Sequence, residues 1–207
     1  MSVLGVTAFI VIVITAMAIL VFRDWRINTV SLAVQYLSAF ALVTLSWPIG
    51  MAVVKLIVGW MAAAAIGLTC LRQMNKTTDS EPSATLFFRG LAGLLMVLVI
   101  FVFSPTLHAN MFPNLDLIIV QGGLMMVGMS LMQLGTSSEP YLNIISLLSL
   151  LAGFEVIHAG LEISTLLTGL LVVVNLGLAL VGVYFVAIQP AEENATDQQF
   201  DTEQEQS

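Results

Sequence analysis

Charge is the first thing this chain lacks. Only 9% of its 207 residues are Asp, Glu, Lys or Arg, where a soluble domain carries about 25%. Its six basic residues are scattered and form no patch, so a nucleic-acid surface is excluded. A single cysteine, Cys70, leaves no disulfide framework and no cysteine spacing of the metal-binding kind. Cys70 reads as a small apolar filler at a helix end. Phosphate-binding loops and nucleophile–base pairs are also missing. The two histidines, His108 and His158, fall at different depths, which makes a poor haem ligand pair. No catalytic motif, metal site or cofactor is therefore expected.

What fills the chain instead is apolar. Hydrophobic residues make up 58% of it, and they come in runs of the length, about 20 residues, that spans a bilayer. The runs predict an all-α bundle of seven transmembrane helices in one domain, residues 1–188. The spans are 3–22, 27–47, 49–71, 86–107, 117–134, 141–161 and 166–188. The first has no basic leader and no small-residue cleavage pattern, so it reads as a retained helix rather than a signal peptide. Pro48 separates the second span from the third. A polar loop, 72–85, separates the third from the fourth. After 188 the character changes. Six of the thirteen acids lie in the last sixteen residues, with Phe200 the one aromatic among them. That segment, 189–207, reads as a disordered acidic tail.

The basic residues orient the spans. Arg23, Arg26, Arg72, Lys76 and Arg89 all fall on one side of a seven-span chain, and the opposite loops carry no Lys or Arg. That side is expected to be cytoplasmic, with the N-terminus outside, the tail inside, and the whole in the cell (inner) membrane.

A few polar residues sit within the spans. An ionisable group there costs about 2.5–3.5 kcal/mol on insertion scales and usually faces protein or a wet cavity. Glu155, His158 and Glu162 are spaced by three and four residues, so a helix puts them on one face. A carboxylate, an imidazole that titrates near neutral pH and a second carboxylate make the pattern of a proton relay. Glu162, at the outer boundary, also reads as an ordinary interfacial residue. Counting at about 1.5 Å per residue, Lys55 and Glu155 both lie roughly 9 Å from the outer surface, and Gln121 falls at a similar level. Lys55 is expected either to pair with Glu155 or to stretch to the outer headgroups. Asn175 and Gln35 read as helix–helix hydrogen bonds. The small residues Gly59, Ala63 and Gly67, then Gly122, Gly123 and Gly128, then Gly169, Gly177 and Gly182, mark packing faces. Met125, Met126, Met129 and Met132 read as core or lipid contacts in preference to a soft-metal site.

Ala152-Gly153-Phe154-Glu155-Val156-Ile157-His158-Ala159 resembles the glycine–apolar–glutamate stretch of the small membrane subunits of respiratory complex I and its relatives. These are the NuoK-like and Mrp antiporter C-type subunits and the larger hydrogenase-4 component E type. The resemblance covers residues 117–188, and the extra N-terminal spans suit the component E type. It implies an accessory membrane subunit of a proton- or cation-translocating complex, held among larger antiporter-like membrane subunits in the lipid bilayer. Glu155 would carry the proton, and Lys55 and His158 would tune it. Two positions depart from the NuoK-like pattern. Asn175 is the polar residue of span seven where that pattern has a second glutamate, and His158 stands near the place of an asparagine. A self-contained small transporter or channel and a non-transporting scaffold or assembly protein are the other two readings.

Overall fold

The computed structural model describes the backbone of residues 3–73, 83–161 and 164–205, and the side chains within 3–72, 85–161, 164 and 166–188. The polar loop expected at 72–85 falls largely outside these residues, as do Lys76 and Glu162. Every described element is α-helical: α1 (Val3–Val21), α2 (Trp25–Val43), α3 (Ile49–Gln73), α4 (Ser83–Met111), α5 (Leu117–Thr136), α6 (Pro140–Leu161) and α7 (Thr165–Glu205). All seven are long and apolar enough to cross a membrane, as expected for a multi-pass membrane protein. In α7 the apolar stretch is Leu166–Ile188, and the helical backbone continues beyond it to Glu205.

Local chemistry sets the ends. The Asp24 carboxylate accepts from the Arg26 backbone N–H at 2.9 Å and so starts α2. At the other end of α2 the backbone tightens. Leu45 and Ser46 N–H donate to the Leu42 and Val43 carbonyls, and the helix therefore stops four residues short of the expected Trp47. Pro48 has no N–H to lose, but its carbonyl accepts from Met51 and Ala52 and opens α3. Helix α4 runs further than expected, to Met111, with Pro105 inside it. A proline at 105 deprives the Phe101 carbonyl of its usual donor. The Ser104 hydroxyl lies 3.4 Å from that carbonyl and donates to it, and Gln121 Nε2 of α5 in turn donates to Ser104 Oγ at 3.0 Å. Ser/Thr hydroxyls and neighbouring helices commonly re-satisfy a broken ladder in lipid.

The helices form two four-membered rings that share one edge. One ring runs α2–α3–α7–α6 and the other α1–α2–α6–α5, with α2 against α6 in both; α4 packs outside, on α1 and α5. Among the described residues, α3 and α6 face each other across the diagonal of the first ring without touching backbone to backbone.

Lipid is as apolar as leucine, so packing and hydrogen bonds, not burial from water, hold such helices together. The tightest meeting is between α5 and α6. A Cβ on Gly123 would stand 2.9 Å from the Gly153 carbonyl oxygen, and a Cβ on Gly153 would stand 2.8 Å from that of Gly123. On α3, Gly59 makes room for the ring of Tyr36, and Gly67 for Thr29. A Cβ on Gly169 or Gly177 would meet nothing within 4 Å among the described residues. Contrary to expectation, they mark no packing face; in α7 that role falls to Gly182, over Ile144.

The two turns at one end are tied together. Arg23 pairs with Glu139 at 2.9 Å, and the Tyr141 hydroxyl donates to the Trp25 carbonyl at 2.9 Å. This end, which also carries Arg26, is called the Arg23 end below.

Candidate functional site

Lys55 lies in the second turn of α3, six residues from the start of the helix. Glu155 lies six residues before the end of α6. Because α3 begins and α6 ends at the same side of the bundle, these offsets bring the two to one level. The structure places Lys55 Nζ 3.5 Å from Glu155 Oε2, across the diagonal of the α2–α3–α7–α6 ring. Both are buried, at 7% and 6% exposure, so Lys55 does not stretch to the surface. At 3.5 Å the contact is an ion pair without the short hydrogen bond of about 2.8 Å that marks the strongest pairs. An ammonium has three donors, and this one keeps capacity for other acceptors.

Two aromatic residues complete the surroundings. Lys55 Nζ sits 4.8 Å from the centre of the Trp47 ring, within the roughly 6 Å at which a ring face attracts a cation. Trp47 precedes Lys55 by eight residues, directly before the Pro48 that opens α3, so the lysine stem reaches back along the helix to the indole. Tyr36 of α2 donates its hydroxyl to Asn175 Oδ1 of α7 at 3.0 Å. Tyr36, Ala39, Lys55, Ala152 and Glu155 line a cavity of about 10 Å³. A space of that size admits about one water centre, and its lining offers the polar partners a water needs. The arrangement is a weak, desolvated ion pair next to room for a single water, framed by a tyrosine that the seventh helix fixes in place. Its chemistry suits making and breaking a proton link, and the cavity is too small for a larger solute.

The other expected site residues go elsewhere. Gln121 turns to α4, where it donates to Ser104 Oγ; it therefore supports the proline break rather than the ion pair. Asn175 reaches the site through Tyr36. The His158 ring stacks on Phe154, with centroids 6.1 Å apart, and is half-buried. Glu162 lies outside the described residues. His108 Nε2 is 2.7 Å from the Leu115 carbonyl and braces the α4–α5 loop.

Sequence reasoning missed Tyr36 and Trp47, because an aromatic residue in an apolar run reads as lipid contact. One signal for Tyr36 was present: Gly59, part of the small-residue stripe on α3, had to face something bulky. Gln35 makes the helix–helix hydrogen bond expected of it. Its Oε1 accepts from the Ser149 hydroxyl of α6 at 3.0 Å.

No family model matches the chain, and no curated protein or solved structure does either.

Proposed function

We propose that this protein is an accessory membrane subunit of a proton- or cation-translocating complex of the complex I and Mrp antiporter kind, with Glu155 on the proton path and Lys55 as its switching partner. The observation that carries this reading is the buried Lys55–Glu155 pair beside a water-sized cavity. Interhelical hydrogen bonds between neutral groups add about 0.6 kcal/mol each in a membrane, whereas each charge costs about 2.5–3.5 kcal/mol to insert. As a fastener the pair is a poor choice, since apolar residues of like volume often hold a buried site as well. Its presence is better explained by use. The glutamate-bearing stretch 152–159, which resembles the small complex I-type subunits, supports the same reading. In this orientation the Arg23 end faces the cytoplasm of the cell (inner) membrane and the N-terminus faces out.

One observation favours a second reading, a self-contained proton channel or transporter. The pair faces the interior of this chain and not an outer face where a larger subunit would dock. Proton movement in inverted native membrane vesicles, followed with a pH-sensitive dye, separates the readings. Under the subunit reading, Glu155→Gln abolishes proton movement, Glu155→Asp restores part of it, and the purified chain alone is silent in proteoliposomes. Conduction by the chain alone would establish the self-contained protein. Unchanged proton movement with Glu155→Gln, alongside weakened assembly, would leave only a scaffold.

A further inference from the structure

The second ring holds polar groups that the ion pair does not use. Gln133 of α5 and Gln35 of α2 are buried, at 2% and 0% exposure. Gln133 Oε1 and Gln35 Nε2 have no hydrogen-bond partner among the described residues. Asn28, also fully buried, has neither amide atom partnered. It precedes Gln35 by seven residues, close to two turns, and so lies on the same face of α2. A buried amide left unpaired is expensive, and native structures normally satisfy it with protein or an ordered water.

A cavity adjoins one of these groups, Gln133. It measures about 10 Å³ and is lined by Ser130 and Gln133 of α5, Ser149 of α6, and Ala16, Ile19 and Met129. Ser149 is the residue that donates to Gln35, so the cavity touches that bond. Its lining offers a carboxamide and two hydroxyls, enough for the two to four hydrogen bonds of a buried water. An apolar cavity of that size stays dry; a polar one does not.

Position gives the cavity a direction. Gln133 lies three residues before the end of α5 and Asn28 three residues after the start of α2, both at the Arg23 end. Ser149 precedes Glu155 by six residues on α6, about 9 Å. Between them stands Ala152, which lines the cavity beside the ion pair.

We propose that Ser130, Gln133 and Ser149, with Gln35 behind them, form a binding site for ordered water. It hydrates the bundle from the Arg23 end and feeds the Lys55–Glu155 pair. The water site stands on its own geometry; its role as a feed rests on the function proposed above.

The test uses the full chain in lipid nanodiscs and X-ray hydroxyl-radical footprinting read by mass spectrometry, because radicals form from water already in place. Met129, 2% exposed, lines the cavity, whereas Met125, 0% exposed on the same helix, does not. Met129 is expected to oxidise several-fold faster than Met125, and Gln133→Met to remove the difference. Equal rates in the wild-type chain overturn the site, with no variant needed. Thermal stability gives a second reading. If the cavity is dry, Gln133→Met replaces an unpaired amide with an apolar group and the Tm rises; if it holds water, the Tm falls. The feed is tested by proton movement in vesicles, which Gln133→Met should slow several-fold. Fast Met129 labelling with unchanged proton movement in Gln133→Met overturns the feed and keeps the water. Fast labelling with proton movement left unchanged by Glu155→Gln instead sinks the proton path through the pair and leaves the site intact.

Discussion

The two rings solve the same packing problem with different materials. In the α1–α2–α6–α5 ring the helices press close. Helix α5 is the most enclosed of the seven spans, with 67% of its apolar window buried, and Gly123 and Gly153 meet backbone to backbone. Its polar groups are neutral amides and hydroxyls. In the α2–α3–α7–α6 ring α7 is more open, with 28% of its window buried against 39% in α1 of the other ring, and the Lys55–Glu155 pair lies there. Tight backbones leave no room for a lysine stem, whereas a ring whose diagonal pair does not touch leaves a gap that Lys55 and Glu155 bridge. Where charge sits in this bundle follows from where the backbone leaves space.

The contrast can be broken most forcefully at the charges. Lys55→Met strands a carboxylate in the ring and should cost about 3 kcal/mol of stability, read as a fall in Tm in detergent. The double variant Lys55→Met, Glu155→Leu should recover most of that loss while remaining inactive in proton movement. A double variant no more stable than the single one would make the pair a structural fastener. Next in size is the neutral ring. Gly153→Ala drives a methyl against the Gly123 carbonyl and should cost about 1–3 kcal/mol, with proton movement per folded molecule little changed. Cross-linking yield between cysteines placed on α5 and α6 would show whether that contact has opened. Tyr36→Phe removes the bond to Asn175 and should cost about 0.6 kcal/mol, yet slow proton movement more than Gly153→Ala does; the reverse order would detach Tyr36 from the site. The smallest effect belongs to the surface pair. Arg23→Ala should change stability by less than about 1 kcal/mol, measurable as a Tm shift that added salt erases.

Much of this was legible in the sequence. The run lengths fixed seven spans, and Pro48 fixed the break between α2 and α3. Counting residues inward from each surface set Lys55 and Glu155 at one depth, and they meet. Counting also set Gln121 at that depth, and there it misled. Residue number gives how deep a side chain lies but not which way its helix is turned. In water a polar face would supply the turn, but lipid-facing and protein-facing sides are equally apolar here. Gln121 therefore points to α4 unforeseen, and Tyr36 and Trp47 passed as apolar. The orphaned amides of Asn28, Gln35 and Gln133 became informative only once their burial was known. Glu162, the last member of the expected relay, lies outside the described residues.

The glycine contact between α5 and α6 has a mechanical corollary. Two helices whose main chains touch cannot slide past one another without a collision, so they behave as a fixed post. Glu155 is mounted on that post. Lys55 is mounted on α3, whose neighbour across Gly59 is a flat aromatic ring that tolerates sliding. A helix movement that parts ammonium from carboxylate therefore falls more easily to the third helix than to the sixth.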